Sequence, residues 1–147
     1  MATEFMHIGL TVSDIDRAAE FYAKYFGFRK GASVCFGEDF IAASDTLYRQ
    51  PAGTWSDMQM LESDFGIVLE LFRFSNVEGA GPGEWNKTGY HHISFKVDDI
   101  TSMYQQMTAD GIEFFFAPKK RDPNDTSEHG HWVFFKDPDG NMIEMWD

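Results

Sequence analysis

The feature that most narrows what this chain can fold into is an internal repeat. His7-Ile-Gly-Leu-Thr-Val-Ser-Asp14 is matched by His92-Ile-Ser-Phe-Lys-Val-Asp-Asp99, and each octapeptide runs straight into a helix-like stretch. Later in each half a Glu follows a Gly by four residues, in Gly66-Ile-Val-Leu-Glu70-Leu-Phe72 and in Gly140-Asn-Met-Ile-Glu144-Met-Trp146. Strand and helix signals that recur in one order predict one supersecondary unit built twice. Two imidazoles and two carboxylates at matched positions of such a repeat form a donor set suited to a divalent metal.

Period and punctuation give the units their elements. From Met6 to Val12 the residues alternate, with Ile8, Leu10 and Val12 on one face and His7, Gly9 and Thr11 on the other. His92 to Val97 repeats that pattern, with Ile93, Phe95 and Val97 opposite His92, Ser94 and Lys96. This is the period of a half-buried strand, and it sets both histidines on the face away from the apolar row. The spacing of Ala18, Phe21, Tyr22, Tyr25 and Phe26 predicts a helix over 14–28, capped at Ser13 or Asp14 and stopped by Gly27. Ile100, Met103, Tyr104 and Met107 predict its counterpart over about 98–110, ended by Gly111. Strand-forming segments follow over 31–43, 57–74, 113–117 and 132–146, so each half reads β-α-β-β-β. The fold class is therefore α+β, with module one at about 4–75, a Gly, Asn, Glu and Pro-rich loop at about 76–89, and module two at about 90–147 of one domain.

Composition removes several function classes. With 43% hydrophobic and 16% aromatic residues over 147 positions, the chain has enough apolar surface for a core, which excludes a disordered segment. A net charge of -12 opposes nucleic-acid binding, and no basic amphipathic stretch suits an anionic membrane. Cys35 is the single cysteine, expected to be buried or on a strand, and it offers no intramolecular disulfide. The start of the chain lacks a signal-like apolar run, and no apolar segment reaches membrane-spanning length, so a soluble, cytoplasmic protein is expected.

These paired halves, together with the ending Phe135-Lys-Asp-Pro-Asp-Gly-Asn-Met-Ile-Glu144, resemble the vicinal oxygen chelate superfamily of glyoxalase I, methylmalonyl-CoA epimerase, extradiol dioxygenases, fosfomycin-resistance enzymes and bleomycin-binding proteins. The resemblance runs from Met6 to Trp146. It implies two tandem βαβββ modules forming a cupped mixed sheet around a metal site, with His7, Glu70, His92 and Glu144 as ligands. It also implies a small-molecule substrate, a cofactor drawn from Ni, Co, Zn, Mn or Fe, and a homodimer. In that setting the metal acts as a Lewis acid on neighbouring substrate oxygens, and Glu70 and Glu144 are the acid/base pair that moves a proton next to a carbonyl.

The order His, Glu, His, Glu resembles bacterial-type glyoxalase I. Extradiol dioxygenases use two His and one Glu, and the epimerase usually has Gln at the place of Glu70. The expected activity is a metal-dependent lyase or isomerase of the glyoxalase I type. An epimerase of a carbonyl or acyl-thioester compound, an Fe(II) dioxygenase and a non-catalytic antibiotic-binding protein are the alternatives. Thr11 stands where glyoxalase I typically has an Arg for a glutathione carboxylate, which leaves the substrate open. The segment from Phe40 to Met58 reads as a long loop over a pocket.

Other polar residues have plainer readings. His91 must point away from His92 and reads as structural. His129 and His131 read as lining the mouth of the cup or facing water. Lys119-Lys-Arg121, the one basic run, reads equally as an anion holder or a solvated loop. Arg49 and Arg73 are candidates for the missing anion contact. Trp55, Trp85 and Trp132 are candidates for a pocket wall, and Asp137-Pro-Asp-Gly140 is a turn between two strands.

Overall fold

The computed structural model of this chain describes residues 1–79 and 85–147. It divides into two compact units, Met1–Gly79 and Ala80–Asp147. Residues 80–84 of the expected loop lie outside the described residues. The first unit contains β1 (Ile8–Thr11), α1 (Ile15–Phe26), β2 (Arg29–Phe36), α2 (Glu38–Ala43), α3 (Asp45–Tyr48), β3 (Ser56–Glu62) and β4 (Val68–Phe74). The second contains β5 (His92–Lys96), α4 (Ile100–Ala109), β6 (Lys119–Lys120), β7 (His131–Lys136) and β8 (Met142–Trp146). The sheet orders are β1-β4-β3-β2 and β5-β8-β7-β6, one topology used twice. In each, the first strand lies parallel to the last and the remaining pairs are antiparallel. The fold is thus α+β with two tandem modules, as the repeat predicts.

Capping chemistry sets the helix boundaries. Asp14, in extended backbone, accepts the Arg17 N–H at 3.0 Å and opens α1. Gly27 closes it in the left-handed region at φ 69°, where a Cβ would be strained. Asp99 repeats the start for α4, accepting the Ser102 N–H at 2.9 Å and its hydroxyl at 2.6 Å. Between the caps, Ala18, Ala19, Phe21 and Tyr22 are buried, as are Leu61, Leu69 and Leu71 on β3 and β4. In the second unit Ile100 and Met107 of α4 are buried with Val133, Phe135, Ile143 and Met145. Each sheet thus buries its alternate positions and leaves the other face for a site.

These caps predict a pH dependence. The Ser102 hydroxyl, then its N–H, holds the Asp99 carboxyl below the usual aspartate range, and the Arg17 N–H does the same for Asp14. A depressed folded value means the contribution is present above the unfolded value and lost as pH falls through the folded one. Asp99→Asn keeps a capping oxygen but cannot titrate. The gap in urea midpoint between wild type and this variant is therefore expected to narrow as pH falls below about 5. A gap that does not change with pH would remove the carboxylate from the account.

Three elements differ from the sequence reading. The strand expected over 31–43 ends at Phe36, because the next residues fold as α2, with Ile41 buried, and then α3. The expected loop over 40–58 is thereby mostly helical at its start and strand at its end. The strand expected over 113–117 is reduced to an isolated bridge, Phe114 to Phe135, and pairing resumes only at Lys119–Lys120. The unbroken run Phe114-Phe115-Phe116 reads as a buried strand, while the ladder itself is short.

Candidate metal centre and the adjoining cavity

Register brings each His to its Glu. In the first unit Glu70 pairs across from Gly9, and His7 stands two residues before Gly9 on the same face. In the second, Glu144 pairs across from Ser94, and His92 stands two residues before Ser94. Both carboxylates therefore have a small residue directly opposite and a histidine on the diagonal, within reach of a Glu side chain. His7 Nε2 lies 3.3 Å from Glu70 Oε2, and His92 Nε2 lies 3.5 Å from Glu144 Oε2. The Glu side chains are only 17% and 12% exposed, so they are largely shielded although they lie opposite each sheet's leucine- and isoleucine-rich face.

The donor chemistry of each pair fits a divalent ion. Two donors at right angles, each about 2.1 Å from an ion, stand about 3 Å apart, close to both observed separations. A shielded carboxylate also favours a cationic neighbour. Within each unit the structure brings together one His and one Glu. Among the described residues, no group of three or more His, Cys, Asp or Glu gathers as a metal holder.

The faces around the two pairs have diverged. In the first unit Phe72 stacks with Phe36 and Phe74, and α2 and α3 add Phe40 against Phe36 and Tyr48 against Phe74. The inserted helices thus pack onto the aromatic part of the Glu70 face. In the second unit the corresponding face opens into a cavity of about 740 Å³ with His92 and Glu144 in its lining. Trp85, Phe116, Trp132, Phe134 and Trp146 supply most of the wall, with Arg121 also lining it. Trp85 and Phe134 lie 5.4 and 5.0 Å from the His92 ring, centroid to centroid, which fixes the imidazole against two aromatic surfaces. Trp85 and Trp132 meet the sequence expectation, whereas Trp55 lies instead under the Arg73 guanidinium at 5.4 Å.

The basic run separates into three roles that its composition did not distinguish. Lys119 lies over the rings of Phe116 and Trp132, 4.4 and 5.2 Å from their centroids. Lys120 turns the other way, donating to the carbonyls of Ser127 and His129 and pairing with Asp125 at 3.5 Å. Arg121 covers the Trp146 ring at 4.9 Å. Alternation along a short edge strand explains why the middle residue parts from its neighbours.

The remaining candidates stand elsewhere. Arg73 faces away from Glu70, pairs with Asp57 at 3.5 Å, and lines a separate, polar cavity of about 580 Å³ beside the first turn of α1. Arg49 is the left-handed cap of α3. Cys35 lies on a strand, β2, one of the two expected placements, and is exposed because β2 is a sheet edge. Desolvation, with the Asp57 carboxylate nearby, pushes its thiol up and keeps it protonated. His131 is not at the cavity mouth; its Nδ1 lies 3.3 Å from Asp147 Oδ2, and its N–H donates to Asp147 Oδ1 at 2.7 Å. His91 is stacked on Trp85, with its Nε2 3.1 Å from the Lys87 carbonyl oxygen. Asp137 is buried, accepts from the N–H groups of Asp139 and Asn141, and forms the turn that the sequence predicts. No helix among the described residues is long and apolar enough to cross a membrane.

Comparison with known proteins places this arrangement. A lactoylglutathione lyase of Schizosaccharomyces pombe is 26% identical over 95% of the chain, which spans 45% of that protein. One from Pseudomonas putida is 28% identical over 96% of the chain and 83% of its own length. The chain thus spans less than half of the first relative and most of the second. The crystal structure of a glyoxalase family protein from Bacillus cereus superposes with a TM-score of 0.75 at 17% identity, covering 99% of this chain and 93% of that one. A family model matches residues 4–145, which include both His–Glu pairs and all of the two four-stranded sheets except Trp146, and by that match the chain belongs to the Glyoxalase/Bleomycin resistance protein/Dioxygenase superfamily.

Proposed function

We propose that the protein is a metal-dependent lyase or isomerase of the glyoxalase I type, transferring a proton next to the carbonyl of a small substrate. The observation that carries this reading is the same His–Glu register in both units, at 3.3 and 3.5 Å, with the second pair in the wall of a cavity large enough for a small molecule. His7 with Glu70 and His92 with Glu144 are the residues that would hold a divalent ion of the Ni, Co, Zn, Mn or Fe class, and the protein would act as a homodimer. When bound, that ion supplies Lewis-acid polarisation of a carbonyl oxygen.

The chain's own groups do the rest. Glu144 takes the proton from the carbon beside the carbonyl at its carboxylate oxygen and, then protonated, can return it to the neighbouring carbon; Glu70, its register match in the first unit, is the second acid/base candidate. His92, held between Trp85 and Phe134, keeps a fixed orientation beside Glu144. The aromatic wall restricts water and gives the apolar part of the substrate a defined seat. An epimerase would use the same carboxylates with both transfers at one carbon.

Elemental analysis of the purified protein tests the ligand set. Stoichiometric metal in the wild type, lost in the His7→Ala/His92→Ala double variant, is the expected outcome. A wild type that stays empty after reconstitution would instead favour a non-catalytic binding protein.

A further inference from the structure

We infer that the cavity of the second unit selects an aromatic substrate that carries an anionic group, with Arg121 as the residue that reads the charge. This inference rests on the proposed function for its location beside Glu144, and on separate observations for its chemistry.

The wall comes first. Trp132 meets Phe134 at 90° and Phe116 at 65°, and Trp85 meets Phe134 at 79°. Edge-to-face contacts of this kind leave ring faces and edges open to a further ring, which gains from the same geometry. A cavity of about 740 Å³ has room for a fused bicycle with a substituent.

Charge decides between two kinds of aromatic-cage ligand. Cages of Trp and Phe beside a carboxylate often suit organic cations. Here the protein has already placed cations on those rings, with Lys119 over Phe116 and Trp132 and Arg121 over Trp146. A cationic ligand would meet a like charge in the wall at Arg121, with the Lys119 ammonium on the rings beside it. The chain has 24 acidic and 12 basic side chains, yet among the described residues no carboxylate pairs with the Arg121 guanidinium. In so acidic a protein, an arginine in a cavity wall with no carboxylate partner is available for a ligand's carboxylate, which it can bind through two parallel N–H donors.

Isothermal titration with 2-naphthoate, 2-naphthalenemethanol and 2-naphthylmethylammonium tests this on wild type and Arg121→Gln, each metal-stripped and metal-loaded. The expected result is that metal-stripped wild type binds naphthoate about tenfold or more tighter than the alcohol or the ammonium ion. Arg121→Gln should remove most of that preference and leave the alcohol unchanged. Strongest binding of the ammonium ion would overturn the inference. So would naphthoate binding that is equal in Arg121→Gln, or that is confined to metal-loaded protein. A chain that takes up no metal yet binds naphthoate through Arg121 would sink the proposed chemistry and uphold the anion site; a chain that binds metal but does not prefer naphthoate would do the reverse.

Discussion

Glu144→Gln is expected to lower turnover of a metal-loaded enzyme by about 10²- to 10⁴-fold, the usual weight of a positioned general base, with little change in urea midpoint. The amide has the same shape as the carboxylate and retains an oxygen near His92, so neighbours such as Phe134 and Met142 need not move. It cannot accept a proton from carbon at neutral pH. The loss should fall on kcat more than on KM, since the aromatic wall that seats the substrate is unchanged. Kinetics on a hemithioacetal, with metal content measured in the same samples, separate lost proton transfer from lost metal. Full activity in a metal-replete Glu144→Gln enzyme would end the case for this residue as the base.

Leu69→Ala is expected to cost about 2–5 kcal/mol of stability, the range for truncating a fully buried leucine. Leu69 is completely shielded, pairs with Leu61 on β3 and Ile8 on β1, and precedes Glu70 on the opposite face of the same strand. The removed atoms leave a void on the side of α1, away from the carboxylates. Urea unfolding of Leu69→Ala beside Leu47→Ala, a change at a 72% exposed residue, checks the claim. The control should stay within about 0.5 kcal/mol of wild type. Equal effects from the two changes would mean that this face is not the core of the unit.

Glu144→Gln exploits the alternation of β8 and Leu69→Ala that of β4, and both alternations were readable in advance. Glu70 sits among Val68 and Phe72 on one face and between Leu69 and Leu71 on the other, so a two-residue period already separated site from core. The helices were equally legible, because Asp14, Gly27 and Asp99 are local signals whose meaning does not depend on distant contacts. Where the reading failed, the deciding force was not local. Residues 37–48 have mixed propensity, and they become helical because Ile41, Phe40 and Tyr48 find apolar partners on a sheet that the sequence does not display. Phe114, Phe115 and Phe116 form an unbroken apolar run such as a strand carries, yet the rings of Phe114 and Phe116 pack on Phe135, Trp132 and Phe134 with almost no ladder.

The repeat in the linear chain was enough to establish two modules of one topology and to single out His7 with Glu70 and His92 with Glu144, because strand period and capping act over a few residues. Tertiary structure alone decided which face became a cavity and which cation entered its wall. Such outcomes depend on which side chains meet across strands: Arg121 turns to Trp146 while Lys120 turns to the 125–129 loop, and Arg73 is held by Asp57 on the far side of its sheet. Neighbours in sequence were separated by the pleat, and residues about 25 positions apart were joined by it.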